Sequence, residues 1–345
     1  MTSDILARVD GAAGRITLNR PKALNALNHP MVRAITAALT EWRDDDRVKH
    51  IVIDGEGERA FCAGGDIRAV YEMLPAAPDA ARQFWREEYR LNAMIARYPK
   101  PYVAIMDGFC LGGGVGLSGH GSHRIVTERS VVGMPETAIG FTPDVGGSLL
   151  LARAPGHAGE YLAATAFRMT AADAIYAGFA DMLISGADRA KLVALLCEGR
   201  SADDAVGSVS IYSGLSDLAA RQARIDRAFG AATIQEAVRR LEELAEPWEQ
   251  EALKRIAAHS PTALAAAHVS VRRARRFTTV EQALDHEYRY AYRAVDLYDF
   301  REGVRALIVD KDGLPKWRPA QLADISLHDA EALFAPIGDN ELALG

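Results

Sequence analysis

Two acidic residues, Glu136 and Asp144, lie in one short stretch of the chain, 134–147, among glycines and prolines. Loops of this composition commonly carry catalytic groups, because a tight turn can aim a side chain at a substrate. Upstream, the glycine-rich stretches 62–66 and 111–116 can expose backbone N–H groups, since glycine has no side chain to block a close approach. Donors that converge on one oxygen stabilise negative charge there. With two carboxylates, such donors suit acyl transfer from a thioester.

The second glycine stretch lies where a strand should pass into a helix. The apolar residues 102–106 precede the glycines, and a helical pattern follows them. The first N–H groups of a helix have no partners within the helix and lie at the positive end of its dipole. This order predicts one half of an oxyanion-binding site.

Each candidate also has a plainer interpretation. Glu136 could cap a helix, and Asp144 could simply hold its glycine turn. Asp66 is favoured as a turn or capping residue over a catalyst. His120 and His123 lie three positions apart without a third ligand at metal-binding spacing, so structural roles are favoured and no metal is expected.

The elements that must position these residues form an α/β pattern. Residues 5–9 and 15–19 alternate around a glycine turn, which predicts a β-hairpin, and a helix is predicted over 30–43. Short apolar runs that end in glycine or polar residues predict strands, at 48–54, 102–106 and 124–127. Strands that alternate with helices indicate an α/β fold.

Strand signals fade after about residue 160. Residues 170–178 combine an N-cap, a helical run and a final glycine, and 234–295 are helical almost throughout. The stretch between these helical regions is rich in Ser, Asp, Gly and Ala. We therefore predict a core with the active site over 1–198, a variable connection over 199–232 and a mainly helical region over 233–345.

Composition narrows the functional classes. With 345 residues, 49% hydrophobic and 25% charged, the chain resembles an ordinary soluble protein with a sizeable core, and its net charge of -6 argues against nucleic-acid binding. The three cysteines, Cys62, Cys110 and Cys197, are far apart and form no CxxC pair, which favours a reducing compartment. No signal-peptide pattern or membrane-spanning run is visible, so we expect a cytoplasmic protein that does not bind a membrane.

Four ordered motifs identify a family resemblance. The stretches 20–27, 60–68, 111–116 and 134–140 are similar, in order and spacing, to the crotonase (enoyl-CoA hydratase/isomerase) superfamily. In 112–118, 134–140 and 143–147 the chain resembles the 3-hydroxyisobutyryl-CoA hydrolase branch. That likeness continues through 299–312 and 315–317 and is weakest over 199–232.

The resemblance implies a crotonase-type spiral of ββα units with a helical C-terminal region. It implies an oxyanion hole from the backbone N–H groups of Gly65 and Gly113, with Glu136 at the position of the catalytic glutamate. Gly116 stands where classical hydratases carry a second catalytic glutamate. Asp144 stands where hydratases usually have glycine and the hydrolase branch has aspartate. Both departures favour hydrolysis over hydration.

The implied substrate is a short-chain 3-hydroxyacyl-CoA thioester such as 3-hydroxyisobutyryl-CoA, an intermediate of valine breakdown. Coenzyme A is then part of the substrate, no separate cofactor is expected, and a homo-oligomer is compatible with the family.

The basic cluster 272–276 either meets the CoA phosphates, in its own subunit or a neighbouring one, or forms a solvated helix face. The alternatives are an enoyl-CoA hydratase or isomerase and a non-catalytic crotonase-like scaffold. The residues implied to contact substrate are Lys22, Ala23, Ala63, Asp66, Ile67, Arg68 and Gly116.

Overall fold

The computed structural model describes residues 3–344, which form two compact units built from discontinuous segments. The first, here called the sheet unit, consists of the residues up to 66 together with 87–132 and 169–217. The second, here called the helical unit, consists of 67–86, 133–168 and the residues from 218 onward. The division at residues 198 and 232 into a core, a variable connection and a mainly helical region stays a prediction.

A seven-stranded sheet forms the core of the sheet unit, in the order β1-β2-β3-β5-β7-β9-β10. Strands β2, β3, β5, β7 and β9 are parallel, and the outermost pairs at either edge, β1 with β2 and β9 with β10, are antiparallel. The strands of this sheet are β1 Ile5–Asp10, β2 Ala13–Leu18, β3 His50–Gly55, β5 Tyr102–Met106, β7 His123–Val126, β9 Met182–Ile184 and β10 Ser210–Ile211.

A second sheet has three short strands in the order β4-β6-β8. These are β4 Ala60–Cys62, β6 Phe109–Leu111 and β8 Val131–Gly133. The strand pairs β3/β4, β5/β6 and β7/β8 therefore each place one strand in the large sheet and the next strand in the small sheet. This alternation is the repeat of a ββα spiral, and the predicted fold class is confirmed.

Five α-helices lie wholly within the described residues of the sheet unit. They are α1 His29–Trp42, α4 Gly113–Ser118, α7 Ala171–Tyr176, α8 Arg189–Cys197 and α9 Ala202–Gly207. The long helix α3, Pro78–Ala96, contributes residues to both units. One face of the large sheet buries Val103, Ile105 and Ile125 against α8 and α9. Each such aliphatic side chain contributes about 1.5–3 kcal/mol when it is fully removed from water.

Turn and capping residues in the sequence explain the first hairpin and the starts of helices α1 and α7. The predicted hairpin is present, with Gly11 at φ 56° in its turn. Helix α1 begins where expected, because the Asn28 side chain accepts the Met31 N–H and Pro30 fits the first turn. Thr170 caps α7 in a capping box with Asp173.

The helical unit has no strand of the large sheet among its described residues. Its helices are α2 Ile67–Met73, α5 Gly147–Arg153, α6 Ala158–Thr165, α10 Asp217–Phe229, α11 Ile234–Leu244, α12 Pro247–Ala258, α13 Pro261–Ala274, α14 Val280–Ala294, α15 Tyr298–Val304 and α16 Leu327–Ala332. A π-helix, Arg305–Val309, extends α15. The region 234–295 is thus helical as predicted.

The stretch 199–232 is more ordered than its composition indicated. It contains α9, the edge strand β10 and the helix α10. Helix α10 buries Leu218, Ile225 and Phe229, which its polar surroundings in the sequence obscured.

Candidate active site

The first glycine turn is held by a neighbouring segment of the sheet unit. The Leu27 N–H donates to the Gly64 carbonyl oxygen, and the Asp66 N–H donates to the Leu27 carbonyl oxygen, both at 2.8 Å. These two bonds lie on either side of Gly65, so its own N–H points away from Leu27. Among residues 3–344, this N–H has no acceptor. Gly64 at φ 111° makes the turn possible.

The second glycine turn brings a second donor beside the first. Gly113 is the first residue of α4, and its N–H also has no acceptor within the described residues. A Cβ added to Gly113 would lie 3.2 Å from the Gly65 nitrogen, so the two amides are neighbours. A Cβ on Gly114 would lie only 2.4 Å from the Cys62 carbonyl oxygen, which explains the run of glycines. Two adjacent N–H groups of this kind can bind an oxygen that gains negative charge.

A third group at this position, Glu88, was missed by the sequence reasoning. Its side chain is 2% exposed, and its Oε1 lies 2.8 Å from the Cβ position of Gly113. The available signal was a carboxylate on the buried face of α3, with Leu91 and Asn92 one turn further along, both fully buried. A carboxylate in that setting is rare unless it has a specific partner.

In the helical unit, Glu136 begins a short 3-10 helix, Glu136–Ile139, and is 7% exposed. Gly140, at φ 72°, ends this helix, and the Phe141 N–H donates to the Glu136 carbonyl oxygen at 3.0 Å. Helix α15 packs closely on it, because a Cβ on Gly303 would lie 2.5 Å from the Ile139 carbonyl oxygen. Glu136 is therefore a buried carboxylate on a rigid turn, and not an exposed helix cap.

Asp144 lies further along the same segment and is 6% exposed. Its carbonyl oxygen accepts the Gly147 N–H at 2.7 Å, and α5 begins at Gly147. The N–H groups of Gly146 and Ser148, on either side of Gly147, donate to the Glu287 carboxyl group at 2.7 and 2.9 Å. Burial raises the pKa of Glu287 to about 8, and the negative charge of Asp144 adds to this rise, while the bonds from Ser148 and Gly146 oppose it.

The residues implied to contact substrate are spread over both units. Lys22 and Ala23 are exposed on a 3-10 helix, Ala63 is half-buried, and Gly116 is buried inside α4. Asp66 forms an ion pair with Arg20 at 2.9 Å, which supports the structural interpretation of Asp66. In the helical unit, Ile67 and Arg68 begin α2, and the Arg68 guanidinium donates to the Ile308 carbonyl oxygen at 2.5 Å. Their roles in binding stay predictions.

The arginines of the basic cluster 272–276 are largely engaged within the helical unit. Arg272 donates to the Ala231 carbonyl oxygen, while Arg273 and Arg275 form ion pairs with Glu331 and Glu160. These contacts favour a structural role for the cluster over phosphate binding in its own subunit.

Two features are absent from the described residues, 3–344: a metal-binding cluster and a membrane-spanning helix. They include no group of three or more His, Cys, Asp or Glu side chains placed to hold a metal ion. His123 instead contacts Ser122 and Asp203. None of the helices in the described part of the chain is both long and apolar enough to span a bilayer.

Comparison with known sequences covers nearly the whole chain. The profile of the enoyl-CoA hydratase/isomerase family matches residues 13–334. The mitochondrial 3-hydroxyisobutyryl-CoA hydrolase of Rattus norvegicus is 39% identical, over 99% of this chain and 91% of that protein. The enzyme of the same name from Homo sapiens is 38% identical, over 98% and 90%.

These relatives correct one expectation. We expected a cytoplasmic protein, and that prediction is wrong, because the relatives are mitochondrial enzymes. The prediction relied on cysteine usage and on the lack of a secretory signal. A reducing environment does not distinguish the cytoplasm from other compartments where disulfides are rare.

Two solved structures resemble the chain over its full length. One is a carnitinyl-CoA dehydratase from Mycobacterium thermoresistibile, with a TM-score of 0.95 and 42% identity, covering 99% of this chain and 98% of the other. The second is an enoyl-CoA hydratase from Rhodobacter sphaeroides 2.4.1, with a TM-score of 0.94 and 46% identity, covering 99% of each chain. The names of the sequence relatives and of these structures therefore indicate different reactions on CoA esters.

Proposed function

The chain belongs to the enoyl-CoA hydratase/isomerase family, and within that family we propose that it hydrolyses 3-hydroxyisobutyryl-CoA to 3-hydroxyisobutyrate and CoA, a step of valine catabolism. The observation that carries this choice is the distribution of carboxylates. Glu136 and Asp144 are both buried on one turn-rich segment, whereas Gly116 offers no side chain inside α4. Hydration of a double bond by two cooperating carboxylates would need an acid at position 116.

The proposed oxyanion hole consists of the Gly65 and Gly113 amides. Both N–H groups lack acceptors within the described residues, and the two residues are neighbours. The thioester oxygen would accept both, and one such donor can contribute about 2.7–4 kcal/mol of transition-state stabilisation. Backbone donors need no reorganisation during the reaction.

The proposed role of Glu136 is direct participation. It either attacks the thioester carbonyl and expels the CoA thiolate, which gives an anhydride that water then hydrolyses, or it deprotonates a water that attacks the carbonyl. Its rigid, buried position supports either path, since a reacting group gains most from a fixed orientation. The CoA thiolate is a good leaving group, because a free thiol has a pKa of about 8.5. No cofactor beyond the CoA of the substrate is then required.

Asp144 and Glu88 are proposed to recognise the acyl group and water. Asp144 would orient the water or accept a hydrogen bond from the substrate hydroxyl. Glu88, buried beside the two amides, is proposed to contact the acyl group where they bind its carbonyl oxygen. A site that binds a hydroxyl with buried polar groups rejects the analogue that lacks it, because those groups are then left unpaired.

The test is release of free thiol from a panel of CoA esters. We expect release from 3-hydroxyisobutyryl-CoA and little or none from isobutyryl-CoA, which differs only in the hydroxyl. Equal rates on the two esters would contradict the assigned specificity. No release from any short-chain ester would contradict hydrolysis itself.

The alternative reaction is hydration of an enoyl-CoA, which the names of the two solved structures favour. Crotonyl-CoA supplied in the same assay distinguishes the two reactions, because loss of its conjugated double bond is visible without thiol release. Rapid hydration of crotonyl-CoA together with slow thiol release from the hydroxyacyl ester would replace our proposal.

A further inference from the structure

Glu287 is a buried carboxyl group that the proposed reaction does not use directly. It lies on α14, is completely buried, and accepts two backbone N–H groups at once. Oε2 accepts the Gly146 N–H at 2.7 Å, and Oε1 accepts the Ser148 N–H at 2.9 Å. Gly146 lies in the turn that follows Asp144, and Ser148 is the second residue of α5.

The turn held in this way has an unusual backbone. Val145 has φ 54° and Gly146 has φ 79°, so two consecutive residues adopt the left-handed region. A β-branched residue rarely does so, and such a conformation persists only when the surroundings impose it. The two bonds to Glu287 help to impose this conformation. They hold the N–H group of the second left-handed residue, Gly146, and one N–H group of the first turn of α5, on Ser148.

A second residue on the same face of α14 supports the other end of the segment. The Tyr290 hydroxyl, three positions after Glu287, donates to the Gly140 carbonyl oxygen at 3.2 Å. The Tyr290 ring packs edge-on against Phe141, with ring centroids 5.4 Å apart. One face of α14 therefore makes hydrogen bonds to the backbone after Glu136, through Tyr290, and to the backbone after Asp144, through Glu287.

We propose that Glu287 is a positioning residue that fixes the turn after Asp144 and thereby aims the Asp144 side chain during thioester hydrolysis. The inference rests on the proposed function. Glu287 acts through the backbone of Gly146 and Ser148 and does not touch the substrate. Since burial holds its pKa well above the usual range, Glu287 can support the turn without a second negative charge next to Asp144 at neutral pH.

The test is a double-mutant cycle between Glu287→Gln and Asp144→Asn on the full-length protein, with 3-hydroxyisobutyryl-CoA as substrate. Glutamine keeps the volume of Glu287, but its NH2 group faces one of the two N–H donors, so one bond is lost. We expect kcat to fall by about tenfold or more while KM stays within about threefold, since the loss is one of orientation. In the double variant, kcat should be no lower than in Asp144→Asn alone, because Glu287 acts only through Asp144.

The matched control is Glu249→Gln, which removes another buried carboxylate of the helical unit. Glu249 is 1% exposed and forms an ion pair with Arg224. This variant should lower the melting temperature and leave kcat unchanged. If Glu287→Gln does not fold, Glu287→Asp replaces it, since it keeps both acceptors and withdraws them by one methylene.

The possible outcomes separate the inference from the proposed function. Multiplicative losses in the double variant, or a Glu287 variant with normal kcat, would overturn the positioning role while the wild type still hydrolyses the ester. A wild type that releases no thiol would instead overturn the function. Loss of kcat that appears only together with lost folded protein, in both Glu287 variants, would reduce Glu287 to a purely structural residue.

Discussion

The two glycine turns of the sheet unit and residues 134–147 of the helical unit, here called the carboxylate segment, are built on different principles. The turns offer backbone amides, and the hydrogen bonds that support the first of them come from the segment around Leu27, which is itself part of a recognisable motif. The carboxylate segment offers side chains, and the residue that holds its turn, Glu287, is 141 positions away from Gly146. Both sets of groups can thus be recognised from short motifs, but the residue that holds the turn after Asp144 is remote, and no local pattern reveals it.

The strongest test of this contrast is Glu136→Gln, which keeps the shape of the carboxylate segment and removes one charge. We expect turnover to fall by about 10²–10⁴-fold, as for loss of a positioned base or nucleophile, with ligand binding preserved. Steady-state kinetics and CoA-ester binding on the same preparation measure both. Near-normal turnover would remove Glu136 from the mechanism.

A second experiment on Glu136, made with the wild type, distinguishes a nucleophile from a general base. A single turnover of the wild type in ¹⁸O-water, followed by mass spectrometry of the peptide that contains Glu136, detects label in its carboxyl group. Label in Glu136 identifies a nucleophile, because water that opens the anhydride at the glutamyl carbonyl leaves its oxygen there, whereas a base gains no oxygen.

The matching test on the glycine side is Gly113→Ala. The new methyl group would lie 2.8 Å from Glu88 Oε1 and 3.2 Å from the Gly65 nitrogen, so it must displace one of them. We expect kcat to fall by about 10²–10³-fold, comparable to the loss of one oxyanion donor. Gly207→Ala is the control, because its new methyl group meets nothing within 4 Å in the same unit. Equal activity of the two variants would show that the turn accommodates the methyl group, and it would contradict the close fit expected around the Gly113 amide.

Asp144→Gly tests whether the carboxylate segment needs its second acid. Glycine fits the backbone there, since the left-handed residues are Val145 and Gly146 and not Asp144. We expect the protein to fold and turnover to fall by about 10- to 100-fold, as for a misplaced reactant. Wild-type rates in Asp144→Gly at every pH from about 6 to about 9, the range that brackets the usual working pH of a general base, would make Asp144 structural.

Much of the fold could be predicted because its signals are local. Strand β5 has the predicted bounds, Tyr102–Met106, since a short apolar run next to glycines leaves few other structures open. Helix α1 was predicted to within one residue at each end, and its Asn28 cap and apolar spacing are local features. The helix α10 was missed because its apolar residues are diluted by charges in a Ser- and Gly-rich stretch.

The site could be predicted only in part, and the same physical reason applies. Gly65, Gly113, Glu136 and Asp144 lie in motifs whose composition indicates tight turns. Glu88 and Glu287 lie on ordinary amphipathic helices, where acidic residues usually face water. Only the tertiary packing shows that both are buried. Their burial is a non-local property, and the spacing within α3 or α14 shows at most which residues share a helix face with them.

The last prediction concerns stability and has the smallest expected effect on the chemistry. The pKa of Glu287 is raised from 4.5 to about 8, so the folded state keeps a proton that the unfolded state loses above about pH 4.5. The stabilisation from this group is therefore complete below about pH 4.5 and is lost as the pH rises towards 8. Relative to Glu287→Gln, which cannot titrate, the wild type should lose on the order of a few kcal/mol of unfolding free energy between pH 5 and 8.5, at about 1.4 kcal/mol per pKa unit. Urea unfolding of both proteins at these two pH values measures the difference. Parallel changes in the two proteins would mean that Glu287 is already ionised at neutral pH, and the turn after Asp144 would then be held by a charged carboxylate next to a second one.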